Sequence, residues 1–284
     1  MFGTAIVTPF NRNGDINFEE FGKLIEFQIE NGVNAIIVCG TTGESATLSS
    51  KEKEKLIDFC VKKVNKRIPV IAGIGSNNTK EVLNNEKIVE NLGIDGLLVV
   101  TPYYNKTTQD GLFNHFKVIA ENTKLPIILY NVPSRTGIDI TPDTYLKLSK
   151  IQNIVATKEA CGDISKILKI RNLCNDNLEV YSGNDDQIIP VLSLGGSGVI
   201  SVLSNIKPKF TVQMLKEYWN GNIKKASNMQ IEASKLIELL FKEVNPIPIK
   251  EALNIMGFEC GNPRLPLVKC SNNLKNKLKL ILEI

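Results

Sequence analysis

The sequence predicts an α/β fold of the (β/α)8 TIM-barrel type with a helical extension at its C-terminal end. Three observations carry this. Eight short apolar runs alternate with helix-period segments up to residue 203. The runs are almost continuously apolar, as suits parallel strands covered on both faces. The chain has 284 residues, and one such barrel takes about 250.

The first run is GTAIVT (3–8). It leads into NFEEFGKLIEFQIENG, where Phe18, Phe21, Leu24, Ile25 and Phe27 fall near helical spacing and Gly32 supplies a stop. AIIVCG (35–40) precedes SSKEKEKLIDFCVKKV, a Ser-led and charged opening followed by Leu56, Ile57, Phe59, Cys60 and Val64. PVIAGI (69–74) precedes NNTKEVLNNEKIVENLG, with an Asn/Thr start and a Gly stop. Then come GLLVVT (96–101), PIILYN (126–131), NIVATK (153–158), LEVYSG (178–183) and GVISVL (198–203). Unbroken alternation favours a closed barrel over an open sheet. From about residue 206, three further helical segments exceed what one barrel helix needs. The expected division is a barrel over 1–205 and a helical region packed on it over 206–284.

Composition excludes several classes. A net charge of +4, without an Arg cluster or basic tract, gives no reason to expect nucleic acid. No 18-residue apolar run occurs, so no membrane span is expected. The N-terminus lacks a signal-peptide pattern. The Lys-rich NNLKNKLKLILEI reads as a solvated helix face packed on the domain. Six cysteines without a C-x-x-C pair read as small, reduced core residues of a cytoplasmic protein. The one histidine, His115, reads as a helix residue without chemistry, and no metal site is expected.

The chemistry gathers at the ends of the apolar runs, which in such barrels adjoin the active site. The sixth run ends on Lys158. Taking an ammonium out of water is costly, so either the side chain snorkels to solvent or the amine has work to do. A neutral lysine amine attacks carbonyls and forms Schiff bases. The fifth run ends on Tyr130, one strand–helix repeat earlier, whose phenol is either a core group or a proton donor and acceptor. The second run ends in GTTGES, where Thr41, Thr42 and the flanking glycines suit either a simple turn or a carboxylate nest. TPYYN supplies Tyr103 and Tyr104. Arg135 follows Tyr130 and can fork onto a carboxylate. Asp185 and Asp186 after the seventh run disfavour a phosphate. Together these residues point to carbon–carbon chemistry on an oxo acid through a lysine imine.

GTTGE, TPYYN, YNVPSRTG, KEA, GGSGVISV and NPIPIK stand in the order and spacing of the dihydrodipicolinate (4-hydroxy-tetrahydrodipicolinate) synthase family, and the chain resembles it over essentially its whole length. The resemblance implies condensation of pyruvate with L-aspartate 4-semialdehyde on the way to diaminopimelate and lysine, with no cofactor. It implies a homo-oligomer, a tetramer built as a dimer of dimers. It makes Lys158 the Schiff-base lysine. Tyr130, Thr41 and Tyr104 become the proton relay, with Tyr104 reaching in from a neighbouring subunit. Thr42 resembles the pyruvate-carboxylate site, Arg135 the semialdehyde-carboxylate site, and Gly183 and Ile200 the pocket lining. The alternative within the superfamily is an N-acetylneuraminate lyase or a 2-keto-3-deoxy sugar-acid aldolase. Arg135 and the Thr-Thr pair speak for the synthase.

The resemblance also marks a feedback site for lysine at Ser50, Lys53, Asn77, Glu81 and Tyr103. Asn77, Glu81 and Tyr103 fit its pattern. Ser50 and Lys53 stand where sensitive bacterial enzymes carry histidines, and Lys53 sets a cation near a ligand with two ammonium groups, only partly relieved by its carboxylate. Weak or absent inhibition is expected.

Overall fold

A computed structural model describes residues 2–283. Eight parallel strands close into a barrel in the order β1 to β8. In chain order the elements begin β1 (Phe2–Ala5), α1 (Phe18–Glu30), β2 (Ile36–Val38), α2 (Ser50–Val64), β3 (Val70–Gly73), α3 (Thr79–Val89), β4 (Gly96–Val100) and α4 (Gln109–Asn122). They continue with β5 (Ile127–Asn131), α5 (Pro133–Thr136), α6 (Pro142–Leu148), β6 (Ile154–Glu159), α7 (Ile164–Cys174), β7 (Glu179–Ser182), α8 (Ile188–Ser193) and β8 (Gly198–Ser201). Four helices follow: α9 (Pro208–Trp219), α10 (Ile223–Leu240), α11 (Ile247–Ile255) and α12 (Asn272–Leu282). The chain forms two compact units, residues 69–200 and residues 2–68 with 201–283.

The strands are shorter than the apolar runs that foretell them. After β1 the chain leaves the ladder, yet Ile6 and Val7 stay buried, and Ile6 N–H still donates to the Ile37 carbonyl at 3.1 Å. Apolarity reports burial, and burial continues into the loops. The eighth run likewise stops at Ser201, because Leu203–Asn205 turns into a short 3-10 helix.

In the unit 69–200, β3 to β7 pair in parallel with their neighbours. One irregularity fixes the phase of β6. Ile127 pairs with Ile154, but Ile128 pairs with Ala156, so Val155 is an extra residue. Val155 is exposed while the rest of β6 is buried. A one-residue slip exchanges the two faces of a strand. The bulge therefore decides which face the residues beyond it occupy, Lys158 among them.

In the other unit, α1 buries Phe21, Leu24 and Ile25. Phe18 and Phe27 remain half-exposed, and Phe18 packs against Phe59 at 5.2 Å between ring centroids. Asn17 caps α1, and a reciprocal Ser49–Glu52 capping box starts α2. Gly32 (φ +85°) follows the end of α1 in the left-handed conformation that a helix stop favours. Helix α12 packs on α10 and α11 through Leu274 and Leu278 and leaves Leu280 in water, the amphipathic arrangement its sequence foretells. No helix among the described residues is long and apolar enough to cross a membrane.

The cysteines correct one expectation. All six are free, and Cys39, Cys60, Cys174 and Cys260 are core residues. Cys161 and Cys270 are only half-buried, because each lies in a loop beyond the packed elements. His115 sits on α4 as expected, buried, its Nδ1 2.9 Å from Thr79 Oγ1.

Candidate active site

Tyr130 and Lys158 occupy paired positions on β5 and β6. Paired residues of neighbouring parallel strands point to the same face, so the two side chains meet. Lys158 Nζ lies 4.4 Å from the centre of the Tyr130 ring, and both residues are buried. An amine over an aromatic face keeps a favourable contact without being tied to a carboxylate. Among the described residues, no carboxylate forms an ion pair with Lys158. Its neighbour Glu159 faces the other way, as strand alternation requires.

Glu159 is held by several donors at once. Its Oε1 accepts from Asn131 Nδ2 at 2.7 Å and from the Cys161 backbone N–H at 2.9 Å. Its Oε2 accepts from the Tyr145 hydroxyl at 2.8 Å and pairs with Lys166 Nζ at 3.3 Å. Lys166 and Asn131 also share Asp139. Burial, and then the Glu159 carboxylate, push the Tyr145 phenol well above its usual pKa, so it remains a donor. This network pins the C-terminal end of β6 from its helix-facing side, which fixes where Lys158 emerges. Sequence reading missed it. The available signal was that Asn131 and Glu159 directly follow Tyr130 and Lys158, and so take the opposite face.

Gly183 lies just past β7, where its N–H donates to the Glu159 carbonyl at 2.7 Å. A Cβ there would meet Ala160 Cβ at 2.7 Å and the Glu159 carbonyl oxygen at 3.0 Å. The close approach of β7 to the end of β6 thus requires glycine. Ile200 is fully buried in β8. Arg135 stands exposed in α5, one turn past Tyr130. Tyr104 is 89% exposed, with φ +69° in the loop after β4.

Thr41 and Thr42 lie in a loop bounded by two non-glycine residues in the left-handed region, Cys39 (φ +55°) and Glu44 (φ +56°). Such conformations persist where the surroundings over-determine them. Here Gly43 and Ser45 N–H groups both donate to the Gly40 carbonyl, and Glu44 N–H donates to the Thr41 carbonyl. Thr8 Oγ1 donates to the Gly43 carbonyl at 2.7 Å. Thr42 is buried, and its hydroxyl oxygen accepts from Asn245 Nδ2 at 3.0 Å. Glu44 is anchored by Lys250 Nζ at 2.8 Å and by the Arg264 backbone N–H at 2.8 Å. Sequence reading assigned no part to Asn245 or Lys250, although both belong to the NPIPIK motif.

The residues of the expected lysine site fall in two places. Ser50 and Lys53 lie in the first turn of α2, Ser50 exposed and Lys53 half-buried. Asn77 and Glu81 flank the start of α3. Glu81 accepts from Ser76 Oγ, and Asn105 Nδ2 donates to the Asn77 carbonyl at 3.0 Å. That bond ties the Tyr103–Tyr104 loop to the α3 start.

A closed parallel barrel with a buried lysine stacked on a tyrosine at adjacent strand ends fits enzymes that work through a lysine imine. The chain belongs to the dihydrodipicolinate synthetase family, whose model it matches over residues 2–284. It is 53% identical to a 4-hydroxy-tetrahydrodipicolinate synthase of Thermoanaerobacter sp. (strain X514), over 99% of this chain and 94% of that protein. It is 53% identical to 4-hydroxy-tetrahydrodipicolinate synthase 1 of Clostridium acetobutylicum, over 96% of this chain and 92% of that protein. The crystal structure of the dihydrodipicolinate synthase of Thermotoga maritima superposes with a TM-score of 0.97 at 46% identity, covering 99% of this chain and 97% of that one.

Proposed function

We propose that the chain is a lyase that condenses pyruvate with L-aspartate 4-semialdehyde, the 4-hydroxy-tetrahydrodipicolinate synthase reaction of diaminopimelate and lysine biosynthesis. The observation that carries this at the level of chemistry is the stacking of the Lys158 amine on Tyr130 at adjacent strand ends. The relatives' names select the substrates.

In this reading Lys158 Nζ attacks the keto carbon of pyruvate, and the resulting carbinolamine loses water to form an imine. Proton transfers accompany both steps. Tyr130, whose ring the amine stacks on, is able to give and take them, with Thr41 and Tyr104 as further members of the relay. Loss of a proton from the pyruvate methyl gives an enamine, whose carbon attacks the semialdehyde's aldehyde carbon. The semialdehyde's own amino group then displaces Lys158 from the imine carbon, which closes the ring and frees the enzyme. Thr42 binds the pyruvate carboxylate, Arg135 the semialdehyde carboxylate, and Gly183 and Ile200 line the pocket through backbone groups. No cofactor enters, because the lysine itself makes the electrophile.

We also infer a homotetramer, built as a dimer of dimers. Tyr104 supports assembly of some kind: a phenol 89% exposed in one chain suits a proton relay only when a second copy covers it. Six free cysteines suit a reducing cytoplasm. The test of function is a coupled assay. Pyruvate and the semialdehyde are supplied, and consumption of reduced nicotinamide by the next pathway reductase is followed, with Lys158→Ala as control. Turnover that vanishes in the variant supports the reading. Wild-type protein that traps pyruvate on borohydride reduction but gives no turnover would overturn the semialdehyde and redirect the search to sugar acids.

A further inference from the structure

A hydroxyl oxygen that accepts a hydrogen bond from an amide keeps its own proton for another partner. Thr42 is in that position. Its Oγ1 accepts from Asn245 Nδ2 at 3.0 Å, both residues are buried, and 203 residues of sequence separate them. The contact therefore exists only because the chain returns to this loop through the segment that opens α11. The same segment fixes the loop two residues further on, where Lys250 Nζ donates to Glu44 Oε1. The ammonium is itself held by the Thr8 carbonyl at 3.0 Å and sits 4.1 Å from the Phe10 ring centre. Glu44 and the loop thus have little freedom to turn Thr42 elsewhere.

We propose that Asn245 is a positioning residue for recognition of the keto-acid carboxylate: by donating to Thr42 Oγ1 it commits the Thr42 hydroxyl proton to the bound anion. This rests on the assignment of Thr42 to the pyruvate carboxylate. It gives the NPIPIK segment a part in catalysis that packing does not require. Any residue of similar volume would fill the space, but only a donor sets the direction of the hydroxyl.

The test reverses the polarity. In Asn245→Asp the side chain keeps its shape but, once ionised, only accepts. The Thr42 hydroxyl then turns to donate to it, and the substrate carboxylate loses a donor and meets an anion. The pyruvate concentration that half-saturates borohydride trapping should rise about tenfold or more, the scale of one lost hydrogen bond and a like charge. The KM for the semialdehyde should move much less. The defect should shrink as pH falls, because a protonated carboxyl donates as the amide did, and burial raises its pKa toward an accessible range. A second measurement stands should that variant not fold. Asn245→Ala should weaken pyruvate trapping in the parent enzyme but add nothing in a Thr42→Val background.

An unchanged pyruvate half-saturation in folded Asn245→Asp would overturn the proposal. So would a pH-independent defect, an equal loss for both substrates, or additive effects in the cycle. Wild-type protein that traps no pyruvate would instead overturn the functional reading on which the proposal stands.

Discussion

Lys250 and Glu44 form an ion pair at 2.8 Å, with both side chains almost wholly out of water. Burial pulls the Lys250 amine below its usual pKa, and the Glu44 carboxylate opposes that shift. Neutralising one partner strands the other. Lys250→Met leaves a buried carboxylate and is expected to lower unfolding free energy by about 3–5 kcal/mol, the usual penalty for breaking a buried pair. Glu44→Gln in the same chain should restore part of that loss. Denaturant melts of the four proteins in the cycle decide it, and an unchanged midpoint in Lys250→Met would remove the pair from the account of stability.

The stacking of Lys158 on Tyr130 separates two roles. Lys158→Ala is expected to abolish the borohydride-trapped pyruvate adduct altogether, read by intact mass. Tyr130→Phe keeps the ring and the contact but removes the hydroxyl. It should still trap pyruvate while turnover falls by about 10²–10⁴, the usual worth of one acid–base group. Full activity in Tyr130→Phe would reduce the phenol to a packing group.

The barrel and its eight strand positions were legible because continuous apolar runs are the mark of strands covered on both faces. The placing of Lys158, Tyr130, Thr41 and Thr42 at or just past strand ends was legible because each stands at the end of such a run. Four things were not. The Val155 bulge leaves no trace in an apolar run, yet it decides the facing of Lys158. Glu159 and Asn131 carry no pattern of their own in the sequence, although period-two alternation turns them toward a buried network. Asn245 and Lys250 lie 203 and 206 residues from the loop they hold, a separation across which local pattern carries no information. The loss of ladder beyond Ala5, Val38 and Ser201 was hidden for a different reason: those loops are as buried as the strands.

Arg135 follows the fifth strand on an exposed turn, beside the strand end that carries Tyr130. In its proposed role as the group that takes the second substrate's carboxylate, it predicts an asymmetric defect. Arg135→Ala should raise the KM for L-aspartate 4-semialdehyde severalfold more than the KM for pyruvate, and should leave pyruvate trapping intact. Arg135→Lys should recover little, because an ammonium lacks the paired geometry of the guanidinium. Equal effects on both substrates would argue against the assigned contact.

Lysine inhibition tests the reading of Ser50 and Lys53. Both lie in the first turn of α2, and in the proposed site Lys53 would add a positive charge near a ligand whose two ammonium groups are only partly offset by its carboxylate. Lysine at submillimolar concentration is expected to leave most of the activity in place. Lys53→His, which is largely uncharged at pH 8, should increase sensitivity. Half-inhibition of the parent enzyme by submillimolar lysine would refute this.

His115 predicts how stability varies with pH. Burial lowers its pKa from 6.5 to about 4. Its Nε2 is buried and finds no hydrogen-bond partner, while Nδ1 is engaged with Thr79. Between the two pKa values the unfolded chain binds a proton that the folded chain refuses. Stability therefore rises with pH across that window and is lost as pH falls from 6.5 toward 4. At pH 5 the loss from this one group should be about 2 kcal/mol relative to pH 8. His115→Gln cannot take up that proton, so its stability should fall less steeply between pH 7 and pH 5 than that of the parent. Parallel slopes for the two proteins in urea melts at those pH values would mean that other groups govern the acid limb.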